Sequence, residues 1–543
     1  MRQDGSRKLW SDFSLGGAAA ESDTLLLEAF HETGQYRRLV SRDDRSCFLV
    51  GRTGSGKSAA FQRIEEQYRG HVIRINPENL SLGYINDLGV VRYLTELDVR
   101  LDPFFNALWK HVLMIEIIKS RYKVYSPAAK ANFFENLKNS LMRDKSKQAA
   151  LQYLNDFESK FWNETDERVR EITHTLERQI EAEATGKLGL RPAEISLGGK
   201  GSRTWTSSER AEIGTRFQRI INETQVPRLN QMIDIMDQNI LNDPLNRMFI
   251  LIDDLDRDWA DEKIVNMLIR NLFQVVVNLQ QVRNLKVLVA LRTNIFESLD
   301  FGKAGGQEEK FRSLTQLMTW DRTTLTELLD QRVSVAARHH RVSGVTGLDD
   351  LLPRANKTRG SALDFILERT LLRPRDAITF INECLRLNIG KDRLTWDQIH
   401  AAEISYSNSR LLALRDEWKP TYPGIDEVLR KFMGAPAQMS RDELTSCLDE
   451  CILLIADGGF VGVTWMTDLG APVWEGAGDW AESYQPIFRL LYNVGFLGCI
   501  KKSGQPAIYS HIQPDFSDRL NNLREVELFA VHPAFRPALD IAD

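Results

Sequence analysis

Short apolar runs set apart by long helical stretches give the chain its first outline. Cys47-Phe48-Leu49-Val50 and Val72-Ile73-Arg74-Ile75 read as strands, with a helix between them starting at Lys57. Met248 to Ile252, Lys286 to Leu291 and, more weakly, Leu314 to Met318 add three further strand-like runs. Continuous apolar runs of this length suit strands buried on both faces of a parallel sheet. Between the second and third runs the pattern turns helical. Phe104, Phe105, Leu108, Trp109, Val112 and Ile115 recur at helical spacing. A Gly-containing stretch at 187–206 reads as a hairpin or loop. Upstream, Glu21 to Gln35 reads as one helix with Leu25, Leu26, Leu27 and Phe30 on its apolar side.

Residues from Thr324 to about 410 are helical again. The rest is mixed. Tyr484 to Asn493 reads as a helix with Gly495 at its C-terminal cap. Phe496 to Ile500 reads as a strand, and Ala507 to Ile512 as its return strand. A helix followed by a hairpin is the outline of a winged helix.

The length of 543 residues calls for several domains. The pattern divides them as 1–46, an N-terminal flanking helix; 47–100, the first part of an α/β core; and 101–246, a mainly helical insertion. The second part of the core follows at 247–320, a helical lid at 321–410, and a winged-helix-like region at 411–543.

Charge adds a local contrast. With 70 basic and 75 acidic residues the net charge is −5, which excludes a protein coated in basic surface for nucleic acid. Within the insertion, 119–147 carries eight basic and two acidic residues, and 156–183 carries four basic and nine acidic. Solvated helix faces are the default for such segments, and a nucleic-acid patch on the first is the sharper reading. Five cysteines (Cys47, Cys384, Cys447, Cys451 and Cys499) in a long chain give no disulfide framework. Cys447 and Cys451 share a helix face without further ligands for zinc. No apolar run reaches the roughly 18–20 residues that span a bilayer, and Met1 to Ser14 lacks a signal-peptide core. The expectation is a cytoplasmic protein with no membrane contact.

The chemistry concentrates in Gly51-Arg52-Thr53-Gly54-Ser55-Gly56-Lys57-Ser58, a full G-x-x-x-x-G-K-[ST] match between a strand and a helix. Glycines let backbone N–H groups turn inward around phosphate oxygens, at a helix N-terminus that favours anions. Gly51, Gly54, Ser55, Gly56 and Lys57 are the expected phosphate binders, and Ser58 a magnesium ligand. Ile250-Leu251-Ile252-Asp253-Asp254 ends a strand on two carboxylates. Asp253 is placed to hold magnesium and Asp254 to polarise the attacking water. Arg257, two residues past Leu255, reads as a surface ion-pair partner or a nucleotide contact. Leu291-Arg292-Thr293-Asn294 ends the next run. Thr293 or Asn294 can orient water or the γ-phosphate, or cap the following helix. Arg312 precedes the fifth run, and Arg375 opens a helix in the lid region. Both are candidates for stabilising γ-phosphate charge. The Asn-Lys pair Asn356-Lys357 is followed by Thr358-Arg359, without the aspartate that guanine recognition uses, so ATP is favoured over GTP.

Taken together, Gly51–Ser58, Ile250-Leu251-Ile252-Asp253-Asp254-Leu255-Asp256-Arg257 and Leu291–Asn294 resemble the additional-strand P-loop ATPases. The Asp-Asp-Leu-Asp-Arg form is similar to the KAP and STAND branches of the AAA+-like group. Glu21-Ser22-Asp23, Trp320-Asp321, Arg373-Pro374-Arg375-Asp376-Ala377-Ile378 and His532-Pro533-Ala534-Phe535 extend a likeness to a largely uncharacterised family of soluble bacterial P-loop ATPases. The resemblance implies an α/β P-loop sheet in the order 5-1-4-3-2, a helical lid and a C-terminal winged helix. It implies ATP and Mg²⁺ as ligands, hydrolysis, and a regulated switch acting through a homo-oligomer or protein partner in phage defence or signalling. Asp254 stands where many relatives carry glutamate, which implies slow turnover. Two alternatives stay open: a DNA-binding ATPase of the origin-recognition kind, contacting nucleic acid through 119–147 or the C-terminal region, and an assembly subunit whose ATP is not turned over.

Overall fold

A computed structural model describes residues 12–76, 101–122, 227–255, 262–299, 308–355, 360–388, 390–476 and 478–542, with a few isolated positions between 132 and 182. The acidic segment 156–183, the loop at 187–206, most of the basic segment 119–147, Asp256, Arg257 and 356–359 lie outside the described residues.

The chain divides into two compact units. One comprises 32–52 and 60–318, and the other 1–31, 53–59 and 319–543. The first is built on a five-stranded parallel sheet of β1 (Phe48–Gly51), β2 (Val72–Ile75), β3 (Met248–Ile252), β4 (Leu285–Arg292) and β5 (Thr315–Leu317). Its spatial order is β2-β3-β4-β1-β5, the expected 5-1-4-3-2 read from the other edge. The strand sequences explain their places. All residues of β1 and β3 are buried, as are all but the last of β4. Edge strand β2 exposes Arg74, and edge strand β5 keeps all three residues at least partly exposed. Five apolar runs thus become two flanking and three central strands.

Helices α1 (Gly34–Val40), α2 (Lys57–Gln67), α3 (Asp102–Tyr122), α4 (Glu262–Leu279), α5 (Thr293–Ser298) and α6 (Glu308–Ser313) accompany this sheet, the first turn of α2 grouping with the other unit. Phe273 of α4 stacks on Phe48 of β1 with ring centroids 3.9 Å apart. Trp109 of α3 is fully buried and donates to the Leu268 carbonyl at 2.9 Å. These contacts make the apolar stripe of α3 part of the sheet's core, so the helical insertion begins as a layer of the α/β unit.

The second unit carries α7 (Arg322–His339), α8 (Leu348–Leu351), α9 (Ala362–Glu368), α10 (Pro374–Arg386) and α11 (Trp396–Trp418). Asp321 caps α7 in a reciprocal box with Thr324, and Thr395 caps α11 with Gln398. Pro374 sits at the first position of α10, where a missing N–H costs nothing. Phe380 and Tyr406 stack with centroids 4.4 Å apart and join α10 to α11.

Beyond α11 come α12 (Ile425–Arg430), β6 (Gln438–Met439), α13 (Arg441–Ile452), α14 (Val463–Trp474), α15 (Trp480–Asn493), β7 (Leu497–Ile500), α16 (Leu520–Arg524) and β8 (Leu528–Val531). The strands form an antiparallel sheet in the order β6-β8-β7. Gly495, with φ +86°, follows α15 in the left-handed conformation that its sequence position predicts.

Two sequence expectations need correction here. The strand returning from β7 is β8, and 507–512 contributes only an isolated bridge between Cys499 and Ile508. Helix Glu21–Gln35 does not form. The structure has a 3₁₀ turn at Ala20–Ser22, turns to Ala29, and α1 capped by Thr33. The cause is Asp23, whose Oδ1 accepts the N–H groups of Gly17 and Leu25 and so competes with a helical ladder. Its other oxygen is 2.6 Å from buried Arg332, which also donates to the Leu15 carbonyl.

Among the described residues no helix is long and apolar enough to cross a membrane. Cys447 and Cys451 both lie on α13. Burial raises their thiol pKa values, and no described group of histidine, cysteine and carboxylate side chains is arranged to hold a metal.

Candidate functional site

In a parallel sheet all strands end on the same edge, so strand ends far apart in sequence become neighbours. Gly51 at the end of β1 pairs in register with Arg292 at the end of β4. On the other side of β4, Ile252 at the end of β3 pairs with Val289. The carboxyl edge of the first unit therefore brings together Gly51, Asp253, Asp254, Thr293 and Asn294.

Asp253 is buried. Its Oδ2 accepts from Arg74 of β2 at 3.1 Å, and its Oδ1 accepts the Asp254 N–H at 3.0 Å. Arg74 also pairs with Glu65 of α2. Asp254 adopts φ +59°, a left-handed conformation that a short polar side chain tolerates. Its Oδ2 accepts from Asn76 Nδ2 at 3.4 Å. Thr293 and Asn294 open α5. The N-cap position belongs to Arg292, and no side-chain cap bond forms there, so the capping role expected of Thr293 or Asn294 is not seen. Arg312 is exposed on α6, which leads into the amino end of β5. It therefore lies on the opposite edge of the sheet from Asp253.

The glycine-rich turn from Thr53 to Ala59 is part of the second unit. Gly54 and Gly56 have φ +78° and +100°, the conformation for which glycine has no steric penalty. The Ser55 side chain is 3% exposed, and neither its hydroxyl nor that of Thr53 meets a hydrogen-bond partner among the described residues. Helix α2 starts at Lys57, and Lys57 and Ser58 are half-buried.

Residues of the helical region that follows the sheet hold this turn. The Arg373 guanidinium donates to the Thr53 carbonyl at 3.1 Å, and the Arg375 N–H to the Gly54 carbonyl at 3.4 Å. The Trp320 indole donates to the Ser55 carbonyl at 2.8 Å. Glu417, near the end of α11, accepts the Thr53 N–H at 3.3 Å and pairs with Arg373 at 3.2 Å. Behind them, fully buried Asp376 lies 2.9 Å from Arg373 and 2.6 Å from Arg410. Burial alone would push the Asp376 carboxyl up. The two guanidiniums outweigh that and hold it below the usual carboxylate range. Burial likewise pushes the Arg373 guanidinium down, and Asp376 and Glu417 more than reverse it.

Arg375 packs against Gly54, and its Nε donates to the Ala18 carbonyl at 3.2 Å. Arg373, Asp376, Arg410 and Glu417 were not foreseen as part of the site. The Arg-Pro-Arg-Asp run was a partial signal, but nothing in the sequence ties it to Glu417, some 40 positions on.

Residues 323–415, from α7 through most of α11, match the family model described as the FunZ-associated C-terminal helical domain. The helical region after the sheet is thus similar to a defined helical domain. Over 545 aligned residues the chain is 23% identical to the "Putative transposon gamma-delta 80.3 kDa protein" of Escherichia coli (strain K12). That alignment covers 97% of this chain and 67% of the E. coli protein. No solved structure matches the chain.

Proposed function

We propose that this chain is an ATP-binding P-loop ATPase that works as a slow switch. The observation that carries the reading is the turn Gly51–Ser58. It has the complete phosphate-loop sequence and left-handed glycines at 54 and 56. It leaves the carboxyl end of a central parallel strand and enters a helix. The sheet order and the carboxylate pair ending β3 support the same reading. The residues also suit a polyphosphate chemically. Among the described residues the buried Ser55 hydroxyl meets no protein partner, and the backbone conformation at Gly54 and Gly56 favours an anion nest.

Magnesium, when bound with ATP, supplies charge that neutralises the phosphate oxygens. In this proposal Lys57 contributes a fixed positive charge, and Ser58 and Asp253 are the metal ligands. Asp254, steadied by Asn76, accepts the proton of the attacking water. Thr293 or Asn294 orients that water, and Arg375 stabilises γ-phosphate charge. Arg312, on the other edge of the sheet, suits a role toward a neighbouring copy in a homo-oligomer. The β6-β8-β7 sheet with its helices supports the winged-helix reading of the C-terminal region, as an effector surface for a protein partner. Phage defence or signalling in the cytoplasm is the proposed setting.

The test is nucleotide binding and phosphate release by purified protein. Lys57→Ala is expected to abolish binding of a fluorescent ATP, and Asp254→Asn to retain ATP without releasing phosphate. Tight binding by Lys57→Ala would overturn the site, and wild-type binding without phosphate release would favour the assembly-subunit alternative.

A second reading, a DNA-linked ATPase, is favoured by the E. coli relative, whose name assigns that protein to a transposon. It predicts DNA binding whose affinity falls steeply with salt. No binding at low salt removes it.

A further inference from the structure

The carbonyls of Thr53, Gly54 and Ser55 are consecutive, and each is held by a different donor: the Arg373 guanidinium, the Arg375 N–H and the Trp320 indole. The described chain contains no cis peptide bond. In a planar trans peptide, the C=O of one residue and the N–H of the next point in opposite directions. Fixing three carbonyls therefore fixes the directions of three N–H groups, those of Gly54, Ser55 and Gly56. Each points away from its own brace.

We infer that Trp320 and Arg373 are positioning residues. They brace the phosphate loop from outside, so that the N–H groups of Gly54, Ser55 and Gly56 face a bound polyphosphate before it arrives. This rests on the nucleotide reading above and adds to it the device that pre-forms the nest. Without the brace, glycine-rich backbone must be ordered by the ligand, and its conformational entropy is subtracted from binding. Glu417 completes the clamp by accepting the Thr53 N–H and steadying Arg373. Neither Trp320 nor Arg373 is required to touch nucleotide. Their effect passes through the loop backbone.

The experiment titrates wild type, Trp320→Phe, Arg373→Lys and Lys57→Ala with a fluorescent ATP in magnesium, with a fluorescent adenosine lacking phosphates in parallel, and records melting temperatures. Trp320→Phe keeps the ring packing and removes one N–H donor. It is expected to weaken ATP binding about tenfold, the scale of one hydrogen bond, while adenosine affinity stays within twofold. Arg373→Lys is expected to weaken ATP binding in the same direction, and Lys57→Ala to lose it. ATP affinity within twofold of wild type in Trp320→Phe, with binding lost in Lys57→Ala, overturns the brace and leaves the nucleotide site standing. Losses that follow melting temperature rather than phosphate content overturn it too. No ATP binding by wild type overturns the nucleotide reading and the brace with it.

Discussion

Asp376→Asn removes the buried negative charge that bridges Arg373 and Arg410 in the helical region. Its carboxylate lies 2.9 Å from Arg373 Nε and 2.6 Å from Arg410 Nη1, and its side chain is 1% exposed. Asparagine is close in size, so the loss is electrostatic. Breaking a buried pair by removing one partner costs about 3–5 kcal/mol, because the other charge stays buried without compensation. Here Glu417 still faces Arg373, so the lower end, about 3 kcal/mol, is expected. Urea unfolding followed by tryptophan fluorescence measures it, since Trp396, Trp465 and Trp480 belong to the same unit. The effect must also depend on pH in one direction. The folded-state pKa of Asp376 is depressed, so below the ordinary aspartate value near 4 the unfolded chain binds the proton more readily. The stabilisation is whole above about 4 and is lost as pH falls through the folded value. The gap between wild type and Asp376→Asn should therefore be large at neutral pH and shrink in acid. A neutral-pH gap below about 1 kcal/mol, or one that is unchanged in acid, would refute the ion-pair account.

Gly54→Ala should damage the loop twice over. Alanine at φ +78° costs about 1–2 kcal/mol, and its Cβ would come within 2.8 Å of the Arg375 Cβ. Lower melting and weaker ATP binding are expected, and a variant that matches wild type in both would show that Arg375 does not pack against Gly54. Lys286 works in the opposite pH range. Burial, with Arg247 nearby, lowers its pKa to about 8, although three backbone carbonyls accept from its Nζ. The unfolded chain then binds the extra proton between about pH 8 and the normal lysine value near 10.4, so stability rises with pH there. Relative to Lys286→Met, wild type should gain stability from pH 7 to pH 10, and a flat difference would contradict this.

How much of this was legible beforehand follows from how local each signal is. Met248–Ile252 announces a buried strand in five consecutive letters, and the glycines and lysine of 51–58 carry their own backbone requirements. The sheet order came from the resemblance rather than from the strand patterns. The failures are non-local. Leu25, Leu26 and Leu27 look helical until Asp23 is seen to be committed to Arg332, more than 300 positions away. Ala507–Ile512 alternates like a strand, but Leu528–Val531 is the better apolar partner for β7. The clamp of Arg373, Glu417 and Trp320 was not legible as a unit because its targets are main-chain atoms, and a carbonyl has no letter in the sequence.

The sheet order also governs how the chain is made. Phe48 of β1 pairs with Val289 and Thr315, which lie 289 − 48 = 241 and 315 − 48 = 267 residues later. Translation at about 5–20 residues per second leaves β1 without its partners for roughly 12–50 seconds. During that interval Phe48-Leu49-Val50 is an apolar segment with open hydrogen-bonding edges, and the glycine-rich turn attached to it cannot take its final shape. Slow synthesis, or a break in the chain before β4, should therefore yield aggregation-prone fragments rather than a small, self-sufficient folded piece.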